Sequence, residues 1–115
     1  MWVDGPHRSP DAVDPVFRAR AYAMGLRVNE RAATDPRAVR LPLDPPAVGR
    51  LGEVRVPALV IVGDRDVPFI QASADVLAAG IVGARQVVMP GTAHLPNMEQ
   101  PDAFNRIVGD LLAAL

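Results

Sequence analysis

The sequence predicts an α/β fold built around two neighbouring parallel strands. Two short apolar runs rich in β-branched residues, 58–62 and 86–89, each end at a glycine or a proline, which is typical of strands buried in a parallel sheet. The run 68–81 between them has the apolar spacing of a helix. A strand, a helix and a second strand then form a crossover unit in which both strands point the same way.

The first 46 residues predict one helix and a linker. A helix is expected over 15–33, because Asp14 can cap its first turn and Pro15 suits the first helical position. The four prolines within 34–46 remove backbone donors and disfavour helix, so this segment is expected to be irregular. A short helical turn over 46–51 should lead into the first strand. The apolar stripe of the predicted helix is weak and consists of Phe17, Ala21, Met24 and Val28.

The elements after the linker alternate between strand and helix. The strand over 58–62 is expected to be buried on both faces. A final helix begins at Pro101 and Asp102, and its strongly amphipathic pattern predicts that it docks on the sheet. The apolar side of the helix over 68–81 consists of Ile70, Ala74, Leu77, Ala78 and Ile81.

Length and composition limit the kinds of function to consider. The chain has 115 residues, half of them apolar, which predicts one small domain at most. A net charge of −1 without a basic run argues against nucleic acid and against an acidic membrane surface. Cysteine is absent and the two histidines are far apart, so neither a disulfide, a metal nor another cofactor is expected. The N-terminus lacks the apolar core of a signal peptide, and a cytoplasmic protein is expected.

Two ionisable residues follow the predicted strands at the same edge of the sheet. Asp66 comes after the first strand and His94 after the second. Open α/β sheets bind their ligands at the carboxyl ends of parallel strands, so the two side chains are expected to meet there. In a hydrogen-bonded pair of this kind the imidazole usually acts as the base for a nucleophile, and the carboxylate orients the imidazole.

Each candidate also has a less specific interpretation. Asp66 can be the N-cap of the helix that follows, and Asp64 is an alternative acid two residues earlier. His94 can be an exposed loop histidine, as His7 is expected to be. Glu99 can orient the His94 loop by accepting backbone N–H groups, or it can be an acid in the first turn of a helix.

No candidate nucleophile accompanies the pair. A serine hydrolase places its serine in a Gly-x-Ser-x-Gly turn between a strand and a helix. The chain has two serines, Ser9 and Ser73, and neither has the flanking glycines. The base and its orienter are therefore predicted without the hydroxyl that they would activate.

The segment 51–115 resembles the C-terminal end of an α/β-hydrolase of the lid-bearing esterase, enol-lactonase and haloperoxidase-like kind. The resemblance rests on the first strand with Gly63-x-x-Asp66, on Gly91-x-x-His94 after the second strand, and on Glu99-x-Pro101 entering the last helix. It implies that Asp66 is the acid and His94 the base of a Ser-His-Asp triad. Asp64 does not fall on a catalytic position of the family.

The resemblance also implies a domain division and an incomplete enzyme. Residues 1–46 resemble a lid-derived helical segment with its linker, and 47–115 the C-terminal part of the hydrolase core. The family's earlier strands, its serine turn and its oxyanion donors would precede these residues, so the chain is expected to be a truncated portion that is inactive alone. Residues Trp2, Phe17, Tyr22 and Met24 are candidates for lining a substrate pocket.

Three functions remain open at this point. The first is a hydrolase part that acts on an ester or lactone once an N-terminal region supplies the serine. The second is a non-catalytic, dimerising interaction module derived from a hydrolase, and the third is a small-molecule binder. Because a two-stranded sheet leaves unpaired edges and is barely stable alone, we expect a homodimer or association with an N-terminal hydrolase fragment.

Overall fold

The computed structural model describes residues 2–34 and 41–115, and over these ranges the chain forms four α-helices and a two-stranded parallel sheet. Two 3₁₀-helices, Pro10–Ala12 and Ala47–Glu53, precede α1 and β1. The elements in chain order are α1 (Pro15–Thr34), β1 (Leu59–Gly63), α2 (Pro68–Gly80), β2 (Arg85–Met89), α3 (Pro96–Glu99) and α4 (Pro101–Ala113).

The predicted strand–helix–strand unit is confirmed, with small changes at its ends. Strands β1 and β2 pair in parallel from Leu59 opposite Arg85 to Gly63 opposite Met89. The first strand begins one residue later than expected, although the carbonyl of Ala58 still accepts a hydrogen bond from the Arg85 N–H at 2.9 Å. The carboxyl ends of both strands therefore lie at the same edge of the sheet.

The expectation that β1 is buried on both faces is wrong. Only Val62 and Gly63 are buried, and the three residues before them are half-buried. In β2, Val88 is 53% exposed. Within the described part of the chain each strand has a single neighbour, and α2 packs against the sheet without covering both of its faces. Burial is deepest at the carboxyl ends, where the loops after the strands add cover.

Helix α1 begins as the sequence predicts and contributes to a small core. The Asp14 carboxylate accepts a hydrogen bond from the Phe17 N–H at 2.7 Å, which caps the first turn. Phe17 and Ala21 are buried, whereas the later members of the predicted stripe are exposed. The core cluster consists of Val3, Val13, Phe17 and Ala21, with Leu95 and Met98 packed against it. These contacts join the N-terminal segment to the residues around α3, and the domain boundary at residue 46 stays a prediction.

The remaining segments are less regular. The predicted linker 34–46 falls partly on residues 35–40, which lie outside the described residues, and 41–46 contain no regular element. Helix α4 has half-buried apolar residues on one side, and the carbonyl of Ile107 accepts a hydrogen bond from Arg85 of β2 at 3.5 Å. Among the helices described, none combines the length and the apolar character that crossing a membrane requires.

Candidate active site

The structure brings Asp66 and His94 into direct contact at the carboxyl edge of the sheet. The Nδ1 atom of His94 lies 2.8 Å from Oδ2 of Asp66. Because an ionised carboxylate can only accept, Nδ1 is the donor of this bond, and in a neutral imidazole Nε2 is then the nitrogen that can accept a proton. The Asp66 side chain is 4% exposed and that of His94 is 34% exposed, so the acid is enclosed and the base is reachable. This arrangement can hold an imidazole in one tautomer and orientation.

Hydrogen bonds to its carboxylate and to its main chain hold Asp66 in place. Its second oxygen, Oδ1, accepts a hydrogen bond from the Val67 N–H at 2.7 Å. The side chain of Gln71 donates to the Asp66 carbonyl at 2.8 Å from the first turn of α2. Val67, rather than Asp66, holds the N-cap position of α2, and no side chain caps that helix. Both carboxylate oxygens are thus engaged, one with the backbone and one with the imidazole.

Asp64 joins the loop after β1 to the loop after β2 without contacting the imidazole. Its Oδ1 atom accepts a hydrogen bond from the Gly91 N–H at 2.7 Å. Two backbone bonds run in the opposite direction, with the Asp64 N–H donating to the Met89 carbonyl at 3.2 Å and the Arg65 N–H donating to the Thr92 carbonyl at 2.9 Å. These bonds hold the two loops side by side, which is what allows Asp66 and His94 to meet.

Gly63 permits this close approach. A Cβ atom at this position would collide with the carbonyl oxygens of Thr92 and Ala93, which belong to the loop that carries His94. Thr92 and Ala93 are themselves fully buried. The glycine at the end of β1 therefore sets the distance between the two loops.

Glu99 accepts a backbone hydrogen bond from the His94 loop. Its Oε1 atom lies 2.6 Å from the Ala93 nitrogen, immediately before the histidine. The same carboxylate forms an ion pair with Arg8 at 2.7 Å. Glu99 was among the residues that the sequence singled out, whereas Arg8 was missed. No periodicity or motif marks Arg8, and the pair is separated by 91 positions in the chain.

An apolar groove of about 520 Å³ opens beside His94. This volume is within the range of small-molecule sites, which are mostly apolar with a few polar groups. The Trp2 and His94 rings meet edge to face, with centroids 4.2 Å apart. Of the four candidate pocket residues, Trp2, Tyr22 and Met24 line the groove, whereas Phe17 lies in the core cluster. The wall also includes Leu26, Val28 and Leu95.

Asp4 connects the N-terminal segment, which forms one side of the groove, to α1, which forms another. Its carboxylate binds Arg18 at 2.7 and 3.2 Å and accepts a hydrogen bond from the Tyr22 hydroxyl at 3.1 Å. The hydrogen bond from Arg18 holds the pKa of Asp4 below its ordinary value of 3.8, and the Tyr22 hydroxyl acts in the same direction against the effect of burial. The Tyr22 hydroxyl is thereby committed to a structural bond.

Among the described residues, no hydroxyl group forms a hydrogen bond with the His94 imidazole. Ser73 lies within α2, and its Oγ donates to the Phe69 carbonyl at 2.8 Å. Ser9 precedes the first 3₁₀-helix without capping it. The buried Thr92 hydroxyl donates to the Met89 carbonyl at 3.1 Å. Over residues 2–34 and 41–115, no cluster of His, Asp and Glu side chains has a geometry that could hold a metal ion.

No known protein-family profile matches the chain. A solved structure described as "Est816 as an N-Acyl homoserine lactone degrading enzyme" is similar to it, with a TM-score of 0.57 and 25% sequence identity. The match covers 86% of this chain and 42% of that chain, so the chain spans less than half the length of the similar enzyme. The likeness supports a hydrolase-like α/β fold.

Proposed function

We propose that this chain supplies the acid and the base of an acyl-bond hydrolase that acts on an ester or lactone. The observation that carries the proposal is the 2.8 Å contact between Asp66 Oδ2 and His94 Nδ1 at the carboxyl edge of two parallel strands. The structural likeness to a lactone-degrading enzyme is the reason to propose a lactone rather than another acyl substrate for this chain. The apolar groove beside His94 suits the hydrocarbon part of such a molecule.

In the proposed reaction His94 moves protons and Asp66 keeps it oriented. Nε2 takes the proton of a serine hydroxyl while the serine oxygen bonds to the acyl carbon, and the Asp66 carboxylate stabilises the imidazolium that forms. His94 then returns the proton to the alkoxide oxygen as its bond to the acyl carbon breaks. A water molecule repeats the sequence and releases the acid. The serine and the donors for the oxyanion come from protein outside these 115 residues.

The first test measures the chain by itself. A fluorophosphonate probe, which labels activated serines, is expected to leave it unlabelled, because removing the nucleophile of a serine hydrolase lowers kcat by on the order of 10⁶-fold. Stoichiometric labelling of Ser9 or Ser73 would contradict the proposal.

The second test combines the chain with an α/β-hydrolase segment that carries a Gly-x-Ser-x-Gly turn, with N-acyl homoserine lactones and p-nitrophenyl esters as substrates. His94→Ala is expected to lower kcat by on the order of 10⁶-fold, and Asp66→Asn by about 10⁴-fold. The controls are His7→Ala, which removes an exposed histidine, and Asp75→Asn, which alters a carboxylate on α2. Full activity of the Asp66 and His94 variants would refute the assignment.

A non-catalytic interaction module is the second candidate, and the surface of α2 favours it. Phe69 is 77% exposed and Val76 is 49% exposed, and both line a second apolar groove of about 470 Å³ against the 3₁₀-helix before β1. Exposed apolar surface of this kind marks association sites. Under this candidate the chain forms a homodimer or binds an N-terminal hydrolase segment, and the Asp66 and His94 variants keep that binding. A compact monomer in a sedimentation experiment at micromolar concentration would dispose of the dimer.

A further inference from the structure

Arg8 and Glu99 form a largely buried ion pair behind the loop that carries His94. Two guanidinium nitrogens of Arg8 lie 2.7 and 3.3 Å from the two Glu99 carboxylate oxygens, and the side chains are only 12% and 8% exposed. We propose that Arg8 and Glu99 are positioning residues, which hold the His94 loop so that the imidazole faces Asp66. The catalytic meaning of this role rests on the proposed function, whereas the positioning itself does not.

Glu99 acts on the histidine through one peptide group. Its Oε1 atom accepts the Ala93 N–H at 2.6 Å, and Ala93 is fully buried directly before His94. A carboxylate that accepts a backbone N–H forms a charge-assisted bond, which is shorter and stronger than a neutral one. Because Ala93 is fully buried and bonded to Glu99, a shift of this carboxylate would move the peptide before His94 with it.

Arg8 determines the position of Glu99 and ties it to the segment that carries Trp2. Its guanidinium donates to the carbonyls of Val3 at 3.0 Å and Asp4 at 2.7 Å, and on the other side to the carbonyl of Gly91 at 2.7 Å. One planar group therefore spans the N-terminal segment, the start of the His94 loop and the Glu99 carboxylate. A lysine ammonium has no such fork and cannot make all of these bonds at once.

The charges of the pair matter because both groups are removed from water. Removing one partner leaves the other as an uncompensated buried charge, which must then move towards solvent or disrupt its surroundings. Since the Glu99 carboxylate also holds Ala93, such a movement would displace the His94 loop. The Arg50–Glu53 pair shows the contrasting case: its N–O distance is 2.6 Å, but its side chains are 52% and 61% exposed. Removing one charge of that pair should have little effect, because water solvates the partner that remains.

The test observes His94 directly by NMR, in the full chain with ¹⁵N-labelled histidine. The ring spectrum distinguishes the two tautomers, and the signals of the exposed His7 are assigned separately from those of His94. The variants are Glu99→Gln, which keeps an acceptor for the Ala93 N–H but removes the charge, and Arg8→Gln. The matched control is Glu53→Gln, the same chemical change in the exposed pair.

In the unaltered chain the His94 proton is expected on Nδ1 and slow to exchange with water. In Glu99→Gln and Arg8→Gln this exchange is expected to be about tenfold faster or more, the factor that follows from weakening one hydrogen bond to a charged group. The far-UV circular dichroism is expected to stay unchanged, and Glu53→Gln should behave as the unaltered chain.

Unaltered exchange at His94 in folded Glu99→Gln and Arg8→Gln would overturn the proposal, as would an equal change in Glu53→Gln. If the neutral variants fail to fold, Arg8→Lys keeps the charge and loses the fork. It is then expected to show the faster exchange, and wild-type exchange in this variant would likewise overturn the proposal. None of these readouts requires turnover, so a failure of the proposed hydrolase activity would leave this inference standing, and the reverse also holds.

Discussion

At the residue scale, the meeting of acid and base depends on one position that has no side chain. Gly63 ends β1, and the carbonyls of Thr92 and Ala93 occupy the space where its Cβ would lie. The loop after β2 can therefore pack directly on the end of β1, and His94 arrives within hydrogen-bond distance of Asp66. Glycine at such a contact serves the approach of one backbone to another.

Gly63→Ala is accordingly expected to destabilise the chain. The added methyl group meets backbone atoms rather than the end of a flexible side chain, so the loss should reach about 1–3 kcal/mol or more in the free energy of unfolding. Urea denaturation followed by circular dichroism measures it. The matched control is Gly109→Ala within α4, where a Cβ would meet no atom within 4 Å and where the change should stabilise by about 0.5–1 kcal/mol. Equal stability of the two variants would contradict this explanation.

At the scale of the elements, specific hydrogen bonds fix the start of α1 and the ends of both strands. Helix α1 starts where Asp14 caps it, and β1 and β2 stop where their loops exchange hydrogen bonds through Asp64. The helices pack less tightly along their lengths, because α1 has two buried residues and α2 has one. The strand ends are thus held together beside the candidate site, whereas the helices are covered on little of their surface.

Asp14→Ala is expected to lower the free energy of unfolding by about 0.5–2 kcal/mol, because it removes the acceptor of the Phe17 N–H in the first turn of α1. Thermal unfolding with a circular-dichroism readout measures the change. Ser9→Ala is the control, since Ser9 makes no capping bond to the first 3₁₀-helix and its loss should stay within about 0.5 kcal/mol. A larger loss for Ser9→Ala than for Asp14→Ala would show that the cap has been misassigned.

At the scale of the whole molecule, two ion pairs connect the N-terminal segment to the rest of the chain. Asp4 binds Arg18 of α1, and Arg8 binds Glu99 at the end of α3. Through these two ion pairs, α1 and the His94 loop are both connected to the N-terminal segment that contains Asp4 and Arg8. The stability of the described structure should therefore depend on the charge of Asp4, whose pKa is lowered by its hydrogen bond with Arg18.

The sign of this pH dependence follows from the direction of the shift. A carboxyl group with a lowered pKa in the folded state contributes stability that is complete well above its unfolded value and is lost as the pH falls through the folded value. Stability is thus expected to decline as the pH falls from about the ordinary value of 3.8, and further below it. Chemical denaturation from pH 6 to pH 2, about the range in which carboxylates titrate, measures this loss. Asp4→Asn should show a shallower decline, and an identical decline in both proteins would exclude a contribution from Asp4.

The sequence could predict the central pair because strand ends are readable from local pattern. A parallel crossover brings the carboxyl ends of its strands to one edge, so the sequence alone predicts that Asp66 and His94 meet. The contacts that hold this pair in place could not be predicted from the sequence. Arg8 reaches Glu99 across 91 positions, and the need for Gly63 depends on which backbone packs over it. The limited burial of β1 also escaped prediction, because an apolar run does not reveal how many neighbours a strand has.

The edge-to-face contact between Trp2 and His94 has a practical consequence. The chain contains a single tryptophan, and its indole forms part of the groove beside the imidazole. Its fluorescence therefore originates at the mouth of the candidate site and nowhere else in the chain. A molecule that enters the groove displaces water from that indole, so unlabelled protein carries its own optical sensor for ligand screening.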